Sequence, residues 1–175
     1  ASAYGEYTVR DGVENLVYYT VGTGVGGGGV KQGKFVEGIS HPEMGHIPVK
    51  KHADDSFDGH CPSHGDCLEG LASGPAVEAR FEKSAKDVPA DDPYWDIQAY
   101  YIAQSAYTTT LLLAPEMIIY GGGVMKVEGL LEKVRLAFDK LNQGYMSTPD
   151  LEKYIVSPKL EDSAATIGCF AMAKE

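Results

Sequence analysis

Positions 22–29 read "GTGVGGGG", so six of eight consecutive residues are glycine. Glycine loses more backbone freedom on folding than any other residue and brings no side chain to pack. So dense a run must serve a special backbone shape or the close approach of another group. It follows Asn15–Val21, "NLVYYTV", whose β-branched and aromatic residues read as a buried strand. It precedes "VKQGKFVEG", an alternating segment carrying Gln32-Gly33, which reads as a second strand turning through a hairpin. Gly24, Gly26 and Gly29 match the spacing GxGxxG, but a dinucleotide-binding turn needs a helix after the glycines, and here a strand follows. The Gly-Lys-Ser/Thr of a P-loop is absent as well. A plain hairpin would not need so many glycines. The run is therefore expected to be a glycine-rich turn whose N–H groups form a nest for phosphate oxygens, with Thr20 and Thr23 adding hydroxyl donors.

A second strand-to-glycine junction, "IIYGGGV", lies at residues 118–124. Glycines at the carboxyl end of a strand, before a helix, let a flat ligand approach the backbone, whereas a tight connection needs only one. Two such junctions suggest two parts of one nucleotide, its phosphates and its adenosine. Around them, residues 93–114 carry Trp95, Ile97, Tyr101, Ile102, Ser105 and Leu112 at helical spacing and predict the longest helix. Residues 127–141 predict an amphipathic helix with Leu130, Leu131, Val134, Phe138 and Leu141 on one face. "LEGLASGPAVEARFEKSA" reads as helical, with Pro75 opening its second part. "YIVSP" reads as a strand, and "SAATIGCFAMA" as a closing apolar helix in which Cys169 is a buried thiol. Strands and helices mixed without internal repeat predict an α/β class.

"GHCPSHGDCLEG", at residues 59–70, gathers two of the three cysteines of the chain beside two histidines. Cys61-x-x-His64-x-x-Cys67 supplies thiolate and imidazole from one tight loop, the ligands of a tetrahedral Zn²⁺, and Gly65 there can adopt backbone angles closed to other residues. His60 would point away from a metal shared with its neighbour Cys61. His41, His46 and His52 remain as sources of a fourth ligand, and His46, after Gly45 in "HPEMGHIPV", is the one a strand could fix in place. Four protein ligands leave no open position for water, so such a site is structural. It would pin a polar excursion, residues 46–67, that cannot bury enough apolar surface to order itself, and so position Glu43, His46 and Glu69.

The chain has 175 residues, enough for one domain or one lobe of a larger enzyme. At 43% apolar it can build a core. Its net charge of −10 argues against a nucleic-acid partner. No apolar run approaches the roughly 18 residues that span a bilayer. Three cysteines do not make a secreted disulfide framework, which leaves a reducing, cytoplasmic compartment. The opening "ASAYGEYTV" reads like the last turns of a helix entered midway.

Taken in order, "TVGTGVGGG", "HPEMGH", the Cys-His-Cys loop, "CLEGLASGPA" and "IIYGGGV" resemble the sugar kinases of the ROK family over nearly the whole chain. Many members carry Cys-x-Cys-Gly-x-x-Gly-Cys in that loop. The variant Cys61-x-x-His64-x-x-Cys67 is most similar to the bacterial fructokinase branch. The resemblance implies an actin-like ATPase (ribonuclease H-like) fold, and phosphorylation of a hexose from ATP with Mg²⁺, most simply of fructose. It implies sugar contacts from Glu43, His46 and Glu69, phosphate contacts from Thr23 and Gly24, and adenosine contacts from Gly121, Gly122 and Gly123. His46 also falls on the family's zinc position, with Cys61, His64 and Cys67, and is assigned mainly to zinc. The family's catalytic base lies in an Asp-x-Asn segment before a helix that reads like "ASAYGEY", so residues 1–175 are expected to be a C-terminal lobe without its base, partnered by an N-terminal lobe and forming a homodimer. Asp11, in a solvated turn, is no substitute. A sugar-responsive repressor of the same family, a kinase of glucose, mannose or N-acetylmannosamine, and a zinc-pinned interaction module are the alternatives.

Overall fold

The strand β1 (Asn15–Val21) is buried on both faces from Leu16 to Tyr19, as its β-branched and aromatic residues predict. In the computed structural model, which describes residues 1–174, β1 is the middle of a five-stranded sheet. On one side it pairs antiparallel with β2 (Val25–Lys31), which pairs antiparallel with β3 (Lys34–Phe35). On the other it pairs parallel with β4 (Met117–Gly121), which pairs parallel with β5 (Ile155–Val156). The order is β3-β2-β1-β4-β5.

Alternation along the strands divides the core into two layers. Val17, Tyr19, Val21, Ile118 and Tyr120 pack with Leu71 of α2 (Leu68–Ala72), Val77 of α3 (Gly74–Phe81), Trp95 and Ile102 of α4 (Tyr94–Leu113), Phe138 of α5 (Leu130–Asn142) and Tyr154 of α6 (Leu151–Tyr154). Leu16, Tyr18, Val30 and Ile119 face the other way, against Ala3 and Tyr4 of α1 (Ser2–Tyr7) and Ala164 of α7 (Ala164–Met172). The helix α4 meets the sheet through hydroxyls as well as apolar atoms. Thr109 bonds Tyr19 at 2.7 Å, Ser105 bonds Tyr120 at 2.6 Å and Thr110 bonds Tyr154 at 2.8 Å. Each buried phenol thus has the partner that burial demands, and burial pushes the Tyr19 phenol up to about 12. On the opposite layer the fully buried Glu6 accepts from Arg10 Nε and Nη2 and from the backbone N–H groups of Lys159 and Leu160, tying α1 to the segment before α7.

Two expectations need correction. The second strand begins at Val25, not after the glycines, so Gly26, Gly27, Gly28 and Gly29 are strand residues, in register with Thr20 back to Val17. The turn itself is residues 22–24, and Gln32 and Gly33, both at positive φ, make the next one. Glycine is needed in β2 because other groups lie against it. A Cβ on Gly27 would stand 2.8 Å from Met44 Cβ and 3.0 Å from Tyr19 Cε1, and one on Gly29 would stand 3.0 Å from Val36 Cγ2. The second correction concerns Cys169, which is exposed. The closing helix is apolar on every side, so its period cannot say which face turns inward. Ala164 and Gly168 do, because Gly5 of α1 and Gly168 bring the two backbones together with no room for a Cβ at either.

No helix among the described residues is long and apolar enough to cross a membrane. The glycines of β2 differ in the space around them, which predicts opposite effects of one substitution. Gly27→Ala should destabilise the fold by about 1–3 kcal/mol through overpacking. Gly28→Ala meets only Ala3 Cβ at 4.0 Å and should be neutral or stabilising by about 0.4–1 kcal/mol. Urea denaturation of the two variants checks both signs.

Candidate metal centre and ligand clefts

Local backbone bonds set up the Cys-His-Cys loop. Cys61 and Gly65 exchange backbone hydrogen bonds of 3.2 and 2.9 Å, with Gly65 at φ +63°, so residues 61–65 close into a tight turn with His64 on its rim. Cys67 then starts α2 and pairs with Pro48 in a short bridge, where the Leu68 N–H bonds the Ile47 carbonyl at 3.1 Å. His46 ends a single 3₁₀ turn, Met44–His46, just before that bridge. The result brings His46 Nδ1, His64 Nδ1, Cys61 Sγ and Cys67 Sγ within 4.8 Å of one another. His60 is exposed and takes no part in the cluster.

The spacing can be tested against the metal chemistry. Zinc holds sulfur at about 2.3 Å and nitrogen at about 2.0–2.1 Å, which in a tetrahedron puts nitrogen about 3.3 Å from nitrogen and about 3.6 Å from sulfur. The two Nδ1 atoms are 3.3 Å apart, and three of the four nitrogen–sulfur distances are 3.5, 3.7 and 3.7 Å, with all four ligand atoms within 4.8 Å of one another. The four residues therefore fit a closed tetrahedral zinc. Burial opposes the Cys61 thiolate, but N–H groups of Ser63 and His64 directed at its sulfur outweigh it and hold the thiol below its ordinary value. Burial pushes the Cys67 thiol up.

A second anchor of the excursion has no signal in the sequence. Asp55 Oδ2 accepts from Arg80 Nη2 at 2.8 Å and from Tyr101 OH at 2.7 Å, while Asp55 Oδ1 takes the Phe57 N–H at 3.0 Å. The Arg80 guanidinium lies 4.2 Å from the Phe57 ring centre and 5.1 Å from that of Tyr94. Burial alone would raise the Asp55 carboxyl, but the hydrogen bonds from Arg80, Tyr101 and the Phe57 N–H outweigh it and leave it below the usual carboxylate range. A loop aspartate and a helix arginine 25 positions apart share no local pattern, so only the fold brings them together.

Of the three sugar candidates the structure unites two. His46 Nε2, on the side of the ring away from the cluster, stands 3.8 Å from Glu69 Oε1. The other oxygen, Glu69 Oε2, accepts the Val25 N–H at 2.9 Å, directly behind Gly24. Glu43 is exposed, and its carboxylate meets His41 Nε2 at 2.9 Å instead. The glycine junctions also converge. Gly22, Thr23 and Gly123 line one cleft of about 560 Å³ with Gly74, Pro75, Ser84, Lys86 and Lys126. A neighbouring hollow of about 370 Å³ shares Ala85, Lys86, Gly123 and Lys126 and continues to Val88, Pro89 and Val127. Gly122, at φ +96°, has the Val21 carbonyl where a Cβ would go, and Gly121 has Tyr18 there, so these two allow close packing while Gly123 opens to the cleft. The segment from Ser84 to Lys86, which helps form both hollows, carried no signal that sequence reasoning could use.

A three-layer lobe with its glycine junctions at the carboxyl ends of β1 and β4 has the plan of an actin-like ATPase. The ROK hexokinase of Thermus thermophilus has the same fold, with a TM-score of 0.79 at 25% identity over 99% of this chain and 63% of that one. The ROK family pattern matches residues 1–175, and the chain belongs to the ROK family. It is similar to the fructokinase of Streptococcus mutans, 46% identical over 179 residues, which is 100% of this chain and 61% of that protein. It is likewise similar to the fructokinase of Lactococcus lactis subsp. cremoris, 48% identical over 176 residues, 99% of this chain and 60% of that protein. The chain thus spans about 60% of the length of these relatives.

The Asp55 anchor makes a stability prediction. Removing one partner of a buried ion pair costs about 3–5 kcal/mol, so Asp55→Ala should lose that much near neutral pH. A carboxyl whose folded value is depressed stabilises above its unfolded value of about 3.9. The advantage of the parent chain should shrink as pH falls through the folded value. Urea titrations of both proteins between pH 7 and 3 read the difference directly.

Proposed function

We propose that the whole protein transfers the γ-phosphoryl group of ATP to fructose, with this chain holding the nucleotide and much of the sugar. The observation that carries the reading is the position of Glu69. One carboxylate oxygen faces His46 and the other holds the turn that enters the cleft of about 560 Å³. The 3.8 Å gap between His46 Nε2 and Glu69 Oε1 is too wide for a hydrogen bond. It accommodates a hydroxyl oxygen about 2.8 Å from each, accepting from the imidazole and donating to the carboxylate. A sugar hydroxyl answers that description. Glu43 joins the sugar contacts from the rim.

Thr23 and Gly24 would meet the phosphates of ATP, with Mg²⁺ carried by the nucleotide, and Gly123 would face the adenosine at the junction that Gly121 and Gly122 pack tightly behind it. Phosphoryl transfer asks the protein mainly for positioning and charge stabilisation, which the turn at residues 22–24 and the cleft lysines Lys86 and Lys126 would supply. The proton of the attacking hydroxyl would go to a carboxylate outside these 175 residues, contributed by a second lobe. We assign a structural Zn²⁺ to His46, Cys61, His64 and Cys67; the metal supplies cross-linking of the loop, not chemistry. The similarity to proteins named fructokinase supports fructose as the hexose.

Two tests follow. Metal analysis should find about one zinc per chain; Cys67→Ser should lose it and melt earlier, and Cys169→Ala should keep it. For the reaction, the whole protein should be assayed with ATP and Mg²⁺ on fructose, glucose, mannose and N-acetylmannosamine. Fructose should give the highest kcat/KM, and Glu69→Gln should lower it about tenfold or more, the loss of a charged hydrogen bond being about 1.5–3 kcal/mol. A clear preference for glucose or mannose would overturn the choice of fructose.

A further inference from the structure

The metal loop and the turn of the nucleotide cleft are separate in sequence, yet one side chain touches the parts that lead to both. Glu69 lies two residues after the ligand Cys67, in the first turn of α2. Its Oε1 is 3.8 Å from His46 Nε2, and the Nδ1 of that same ring is one corner of the four-ligand cluster. Its Oε2 accepts the Val25 N–H at 2.9 Å. Val25 closes the turn at residues 22–24 by pairing with Val21, and within that turn the Gly22 N–H bonds the Gly24 carbonyl at 2.9 Å. The Gly22 carbonyl accepts from the Gly74 N–H at 2.7 Å, and Gly22, Thr23 and Gly74 all line the cleft of about 560 Å³. Among the described residues no other side chain is hydrogen-bonded to the Val25 N–H, and Gly24 itself leaves no space between the turn and the carboxylate.

We infer that Glu69 is a positioning residue that couples occupancy of the His46, Cys61, His64 and Cys67 site to the shape of the nucleotide turn. The inference rests on the nucleotide reading of the cleft but goes beyond it, because it makes metal binding and ATP binding favour one another. The physical route is short. His46 Nε2 and Glu69 Oε1 stand 3.8 Å apart, so they meet electrostatically or through one bridging hydroxyl, and groups behind a ligand imidazole commonly account for about 10–100-fold in metal affinity. Holding His46 and Cys67 in place fixes the carboxylate from both ends, since Cys67 sets the start of α2 and His46 faces Oε1. A fixed carboxylate keeps the Val25 N–H bonded and the turn closed. With the loop released, Glu69 is free to leave Val25, and the turn opens to solvent at Val25. By linkage, whatever the metal adds to nucleotide affinity the nucleotide adds to metal affinity.

The test is a cycle on the whole protein with two readouts. Amide hydrogen exchange at Val25, measured without nucleotide, is compared in the zinc-loaded and chelator-stripped forms. Affinity for ATP with Mg²⁺ is measured by calorimetry in the same two forms, for the parent protein, Glu69→Ala and Glu69→Gln. In the parent, stripping should speed Val25 exchange and weaken ATP binding about fivefold or more. In Glu69→Ala, Val25 should exchange fast in both forms, ATP should bind equally weakly in both, and zinc should be held about 10–100-fold less tightly in competition with a chromophoric chelator. Glu69→Gln, which keeps an acceptor for Val25, should restore Val25 protection in the loaded form. That rescue separates positioning from simple loss of fold. An equal effect of stripping in the parent and in Glu69→Ala would overturn the inference, and so would no effect in the parent. If ATP binds none of these proteins, the nucleotide reading fails on its own, and the Val25 exchange comparison still decides whether Glu69 links loop and turn.

Discussion

The arrangement of the site depends on how closely the 3₁₀ turn Met44–His46 can lie on the strand β2. Where a Cβ of Gly45 would project, the Val25 carbonyl is already present, and where a Cβ of Gly27 would project, Met44 stands at 2.8 Å. Two glycines, one on each partner, therefore let a turn seat itself directly on a sheet. His46 follows from that contact. Its ring is delivered over the end of β2, with one nitrogen toward Cys61 and Cys67 and the other toward Glu69. Adding a methyl group at either glycine would lift the turn and displace every group that His46 meets.

The excursion beyond His46 has too little apolar surface to hold its own shape, and two polar devices replace a core. One end is gathered by the cysteines and histidines, whose spacing suits a single tetrahedral ion. The middle is clamped by Asp55 to Arg80 and Tyr101, with the guanidinium between two aromatic rings. Both reach elements that also build the clefts. Arg80 is in the last turn of α3, whose first residues, Gly74 and Pro75, line the larger cleft, and Cys67 opens α2, which carries Glu69. A loop that looks like surface decoration is thus tied mechanically to the walls of the functional region.

Glycine plays three different parts in the same few elements. In β2 it makes room for Met44, Tyr19 and Val36. At Gly122, and at Gly65 in the metal loop, it supplies a left-handed backbone. At Gly123 nothing crowds it, and what the missing side chain leaves is open cleft. Only the last use is legible as ligand binding, and a run of identical letters does not say which residue has which role.

Much of the architecture could be read from the chain alone, because it rests on local periodicity. The buried β1, the long helix α4, the helix start at Pro75 and the strand entering Gly121 are each written in consecutive residues, and so is the clustering of Cys61, His64 and Cys67, whose spacing is that of one tight turn. His46 as the fourth member was readable as one of several histidines. The tertiary structure alone chose it over His41 and His52, set Glu43 on the rim beside His41, placed Cys169 outward on a helix apolar all round, and joined Asp55 to Arg80. It also turned the expected glycine turn into a glycine strand, since what excludes a Cβ from Gly27 is a side chain 17 positions away. The physical reason is common to all of these. Periodicity records which side of an element faces inward, whereas the identity of the atoms it meets there depends on contacts between segments distant in sequence.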